Sequence, residues 1–229
     1  MAIKPADNES FYREVDEELR KEQMATTWRR YGWLIVGGVI YWQHCQEVRQ
    51  GELGEQFTGI LDDIQAERTT EAPAKLDALA EEGGPGYRAA ALLTKGDLAI
   101  QAGRDAEAVA AFKAVAGDEE IARPYRDAAL VRQTALEFDA LPPATVIARL
   151  KPLAATGNPW FGSAGEMVAL AHLRANQPQQ AAPIFAALAK DEGVPQSIRS
   201  RAVQMAGALG VHAVQEPPAA AGAAKEKSE

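Results

Sequence analysis

The chain has 229 residues, with 24 Lys plus Arg against 32 Asp plus Glu for a net charge of −8, and 46 of its residues are Ala. A single Cys excludes an intramolecular disulfide and a thiolate zinc cage, and the acidic balance lacks the basic footprint of a nucleic-acid-binding protein. Few aromatics and abundant Ala predict an all-α fold of closely packed helices rather than a sheet.

Residues 1–30 carry six basic and seven acidic side chains. Ser10 is suited to N-cap a helix with Glu14 in its first turns, and charged residues continue at helical spacing to Arg30. From Tyr31 to Gln46 the chain then has 16 residues without a formal charge. The apolar part comprises Tyr31, Trp33, Leu34, Ile35, Val36, Val39, Ile40, Tyr41 and Trp42. Aromatics stand at both ends, Arg29 and Arg30 abut the first, and Arg49 alone follows the second closely, which is the belt and charge pattern of a membrane segment. That asymmetry places the N-terminus in the cytoplasm and the remainder outside. As a helix the 16 residues reach only about 24 Å, short of ~30 Å of hydrocarbon. Two readings therefore stand, a short membrane segment over 31–46 or a buried core helix, and the paired aromatic ends favour the first. A cleaved signal peptide fits poorly, because a long charged stretch precedes the run and no small-residue cleavage site follows it.

Residues 47–82 read as one or two linking or capping helices, with Phe57, Ile60, Leu61 and Ile64 on one stripe and Leu76, Leu79 and Ala80 on another. Residues 83–209 repeat. Prolines 85, 124, 159 and 195 each precede a small-residue helix at spacings of 39, 35 and 36 residues, and Tyr87-Arg-x-Ala-Ala-Leu recurs from Tyr125. Periods of this size mean stacked helix pairs. The second helix of a pair is legible twice: Gly103, Ala108, Phe112 and Val115 are matched 73 residues on by Asn176, Ala181, Phe185 and Leu188. The small residue admits a neighbouring helix and the aromatic one turn later fills the gap. Ala144–Leu153 is a degenerate copy between them. With Gly96 in the first helix of the pair, this spacing predicts a tetratricopeptide-like helical solenoid. Residues 210–229 are Ala/Pro-rich, then charged, and are expected to be disordered.

Little in the chain points to chemistry. It has no phosphate-binding loop, dinucleotide fingerprint or zinc-protease motif. Gly162-Ser-Ala-Gly165 lacks the spacing of a nucleophile elbow and suits a close-packed helix start. His44, His172 and His212 have no second ligand one turn away, Cys45 reads as an inert thiol, and carboxylates such as Asp62, Asp63 and Asp118 fall on solvated faces. The chain is read as non-catalytic, without cofactor or metal. Asn158-Pro-Trp-Phe161 concentrates two large aromatics at one helix start. It is either a core plug between repeats or a binding anchor, so Trp160, Phe161 and the groove-position His172 are the candidate partner-binding residues.

The segments Phe11–Arg20, Arg30-Tyr-Gly-Trp33, Tyr41-Trp-Gln43, Gly86-Tyr-Arg-Ala89, Pro124-Tyr-Arg-Asp127, residues 158–166 and Ile198–Ala206 carry a resemblance over residues 10–213. The layout resembles the tetratricopeptide-like family of the ancillary SecYEG translocon subunit (the YfgM type), in its alphaproteobacterial form. The resemblance implies a single-pass bacterial inner-membrane protein with a periplasmic repeat domain. Its implied partners are Sec translocon subunits, a membrane-anchored periplasmic chaperone and exported polypeptides. The chain departs from that family in having only Leu34–Ile40 between the Tyr-Gly-Trp and Tyr-Trp-Gln motifs, where members carry a full-length span. The alternative function is a soluble or peripheral scaffold for envelope assembly or cell division.

Overall fold

The computed structural model describes residues 41, 44, 45 and 48–211, and all of its regular structure within them is helical. Of the apolar run, only Tyr41 is described among the site residues. It is helical and 71% exposed, while Tyr31, Trp33, Leu34, Ile35, Val36, Val39, Ile40 and Trp42 lie outside the described residues. No helix among the described residues is long and apolar enough to cross a membrane.

Two compact units divide the chain after Thr58. In the first, the described residues 41, 44, 45 and 48–58 are helical. The helix α1 runs over residues 48–65, so its last turns belong to the second unit. There follow α2 (Ala72–Glu82), α3 (Gly84–Gln101), α4 (Asp105–Gly117), α5 (Arg123–Glu137), α6 (Pro143–Leu150), α7 (Phe161–Arg174), α8 (Pro178–Lys190) and α9 (Gln196–Ala208). The 47–82 region is thus two helices. Asp63 near the end of α1 accepts hydrogen bonds from Arg68 Nη2 at 2.8 Å and Lys75 Nζ at 3.0 Å, which clips α1 to α2.

From α2 to α9 each helix packs on its neighbours in sequence, and first helices of successive pairs also touch, α5 with α7 and α7 with α9. The pairs are α3/α4, α5/α6 and α7/α8, with α9 as an unpaired first helix. One core cluster is built from Ala99, Ala108, Phe112, Val115, Ile121 and Ala129 with Ala89; another has Ala181, Phe185, Leu188, Val194 and Ala202. Five positions coincide at a shift of 73 residues: 108, 112, 115, 121 and 129. The middle pair fills the same three helix positions with Val146, Leu150 and Leu153, all buried. The small-then-large order is softened there to two aliphatics, which is why the sequence copy is degenerate.

The backbone repeats as closely as the core. Gly103 (φ 68°) and Asn176 (φ 57°) take the same left-handed turn conformation, which glycine adopts freely and Asn tolerates better than most residues. Arg104 N–H bonds to Ala99 O at 2.8 Å, as Gln177 N–H does to His172 O at 2.8 Å. After the second helix, Asp118 Oδ1 accepts Glu120 N–H at 2.9 Å and Asp191 Oδ1 accepts Gly193 N–H at 2.9 Å. These aspartates end one pair and start the next with an identical side-chain turn.

The prolines are not structurally equivalent, although their spacing marks the repeat. Pro85 and Pro124 occupy the first helical turn, Pro195 is the N-cap of α9, and Pro159 precedes the N-cap Trp160. None of these sites needs a backbone N–H, so proline drifts among them without loss.

Close approach of helices depends on missing side chains. A Cβ on Gly96 would stand 2.5 Å from Phe112 Cε1, so the glycine is what lets the ring lie against α3. Exposed ion pairs link first helices one period apart: Arg132 to Asp97 at 2.8 Å and Arg201 to Glu166 at 2.7 Å.

Candidate partner-binding site

The start of α7 is set by Asn158. Its side-chain Oδ1 accepts Trp160 N–H at 2.8 Å, and its carbonyl accepts Phe161 N–H at 2.9 Å. This turn splits two adjacent aromatics between two cores. Trp160, half-buried, packs on the cluster of Val146, Leu150 and Leu153. Phe161 is 3% exposed and belongs to the next cluster, with Phe185 and Leu188. Gly165 makes room for its ring, since a Cβ there would come 3.1 Å from Phe161 Cδ2. Phe161 is therefore a core residue between repeats, and Trp160 alone of the pair offers surface. The neighbouring Gly162 likewise faces Val194 and Ile198 closely, so Gly162-Ser-Ala-Gly165 is a packing segment of α7.

His172 is buried near the other end of α7, and its Nδ1 lies 2.9 Å from Gln177 Oε1. It occupies the position of Ala99 in the first pair, where its carbonyl role in the turn is the same. Twelve residues of helix separate Trp160 from His172, about 18 Å at 1.5 Å per residue. The two therefore do not form one site.

Electrostatics tie the array together without forming a reactive centre. Arg88 Nη1 donates to Asp118 at 2.6 Å and Glu120 at 3.1 Å, and the guanidinium, helped by Glu120 N–H, holds the Asp118 carboxyl below its ordinary value of 3.8. Arg68 and Lys75 lower Asp63 in the same way. No group of His, Cys, Asp or Glu among the described residues is placed to hold a metal ion. Cys45 is helical, exposed and free of any disulfide.

Two features had no place in the sequence reading. Arg174 reaches across to the α5–α6 connection, where its guanidinium donates to the carbonyls of Phe138, Asp139 and Leu141 and stacks over the Phe138 ring at 5.0 Å. No periodicity could announce this, because the acceptors are main-chain carbonyls in a loop. The second is an apolar groove of about 810 Å³ along α8, lined by Pro178, Gln179, Ala182, Pro183, Ala186, Ala187, Lys190, Leu209 and Val211. Its signal was present as Ala and Pro at helical spacing on the face of α8 opposite Ala181, Phe185 and Leu188.

No protein-family model, curated protein or solved structure matches the chain.

Proposed function

We propose that the chain is a non-catalytic, membrane-tethered interaction protein, an accessory subunit of the Sec translocon that helps periplasmic chaperones handle exported proteins. The observation that carries the interaction reading is the repeat: helix pairs whose turns, caps and buried residues recur over 73 residues. Stacked repeats present side chains of successive first helices along one surface, suited to an extended or helical partner segment. The translocon and chaperone assignment rests on the sequence resemblance over residues 10–213. The run Tyr31–Trp42 is the tether, with the N-terminus in the cytoplasm and the repeats in the periplasm of a bacterium.

Tethering raises effective concentration, so weak contacts at the array suffice. Trp160 is the anchor most suited to a partner, being aromatic, half-exposed and backed by a packed cluster. Affinity purification from mildly solubilised membranes of the native host tests the proposal. Translocon subunits with a periplasmic chaperone should co-purify, and deletion of Tyr31–Trp42 should abolish their recovery. Recovery from the soluble fraction alone, with division or envelope proteins and no translocon, would replace the proposal with the peripheral-scaffold reading.

A further inference from the structure

The array ends on α9, a first helix with no second helix after it among the described residues. Yet the turn that elsewhere leads into a second helix is complete. Leu209 N–H bonds to Met205 O at 3.1 Å, Gly210 N–H to Gly207 O at 3.0 Å and Val211 N–H to Ala206 O at 2.9 Å. The equivalent bonds after α3 run from Ala102, Gly103 and Arg104, and after α7 from Ala175, Asn176 and Gln177. Gly210 (φ 80°) repeats the left-handed turn residue. The folded array therefore extends to Val211, past the boundary at 209 expected from composition, and Val211 packs on the last core cluster.

This turn aims the chain back along α8, where the apolar groove lies and where Leu209 and Val211 already form part of its wall. The residues that follow cannot repeat a second helix. Gln215 and Ala219 fall where the first pair has Ala108 and Phe112, and Pro217-Pro218 interrupts the turn between them. Such a sequence favours the extended polyproline conformation, with little entropy left to lose on docking.

We propose that residues 212–224 of the same chain occupy the groove along α8 as an extended strap. Small apolar side chains of the segment, Val214 and the alanines, suit a wall made of Ala182, Pro183 and Ala186. The charges fit as well. The five-residue link from Asp191 to Pro195 folds α9 back antiparallel on α8, so the strap starts near Pro178 and runs toward Lys190. Lys190 lies about 18 Å along α8 from Pro178. Five residues of polyproline conformation cover about 16 Å and bring Glu216 level with it. Attachment at Val211 places the segment at an effective millimolar concentration over the groove, so a weak contact is enough.

Alanine-methyl NMR of the full chain, compared with a variant ending at Val211, tests this. The methyl resonances of Ala182, Ala186 and Ala187 should move on truncation and return when a peptide of residues 212–224 is added. That peptide should bind the full chain at least about tenfold more weakly than the truncated one, because the attached segment competes. Lys190→Glu or Glu216→Lys alone should shift the same resonances toward the truncated positions, and the double reversal should restore them. Unchanged methyl resonances on truncation would overturn the proposal. So would shifts that scale with protein concentration, which would assign the groove to a second copy.

Discussion

Position 96 has no room for a side chain, since a Cβ would meet Phe112 at 2.5 Å and the ring is enclosed. Gly96→Ala gains helix propensity of about 1 kcal/mol but forces an overpacking cost of roughly 1–3 kcal/mol. The second effect wins because Phe112 is buried on every side, and urea denaturation should show a net loss of stability. Truncating the ring itself, as in Phe112→Ala, should cost about 3–5 kcal/mol through the cavity it leaves. Asp118 makes a pH-dependent contribution. Arg88 lowers its pKa, so the folded state favours the charged form. The stabilisation is present above the ordinary value of 3.8 and is lost as pH falls through the lower folded value. Asp118→Asn keeps an acceptor for Glu120 N–H while removing the charge. Its stability should fall less steeply than that of the parent chain between about pH 5 and pH 2 in thermal melts.

At the scale of elements, the middle pair is held differently from its neighbours. The α5–α6 connection lacks the left-handed turn found after α3 and α7, and its free carbonyls are bonded by Arg174 instead. Arg174→Ala should cost about 1 kcal/mol and should speed amide exchange in residues 138–142, with α3 and α4 unchanged. The exposed pairs Asp97–Arg132 and Glu166–Arg201 should matter less, about 0–1 kcal/mol each and less in high salt. They orient successive first helices, whereas the buried triplets on α4, α6 and α8 hold the pairs together. The second-helix triplets were readable because small and aromatic residues one turn apart leave a distinctive mark. The Asp118 and Asp191 turns were not, because a lone Asp after a helix is common and only their matched hydrogen bonds reveal the equivalence.

For the whole molecule, the partner-binding question narrows to surface. Phe161 and His172 were candidates beside Trp160, and both are buried. Trp160→Ala should weaken partner recovery in the membrane purification and should lower stability modestly, since half of the side chain packs on the core. Recovery unchanged at wild-type level would remove Trp160 from the proposed interface while leaving the scaffold reading intact. The sequence could place two aromatics at one helix start, but it could not say which faced a core. That choice is made by the Asn158 turn, which rotates successive residues toward different clusters.

The sequence by itself determined the helical class, the period and the residues of the second-helix triplets, because those follow from local spacing that any helix must obey. Only the tertiary structure decided which prolines are equivalent, where Phe161 and His172 are buried, what Arg174 bonds, and that the final turn ends beside an open groove. Each of these depends on atoms brought together from distant parts of the chain, and local periodicity carries no record of such approaches.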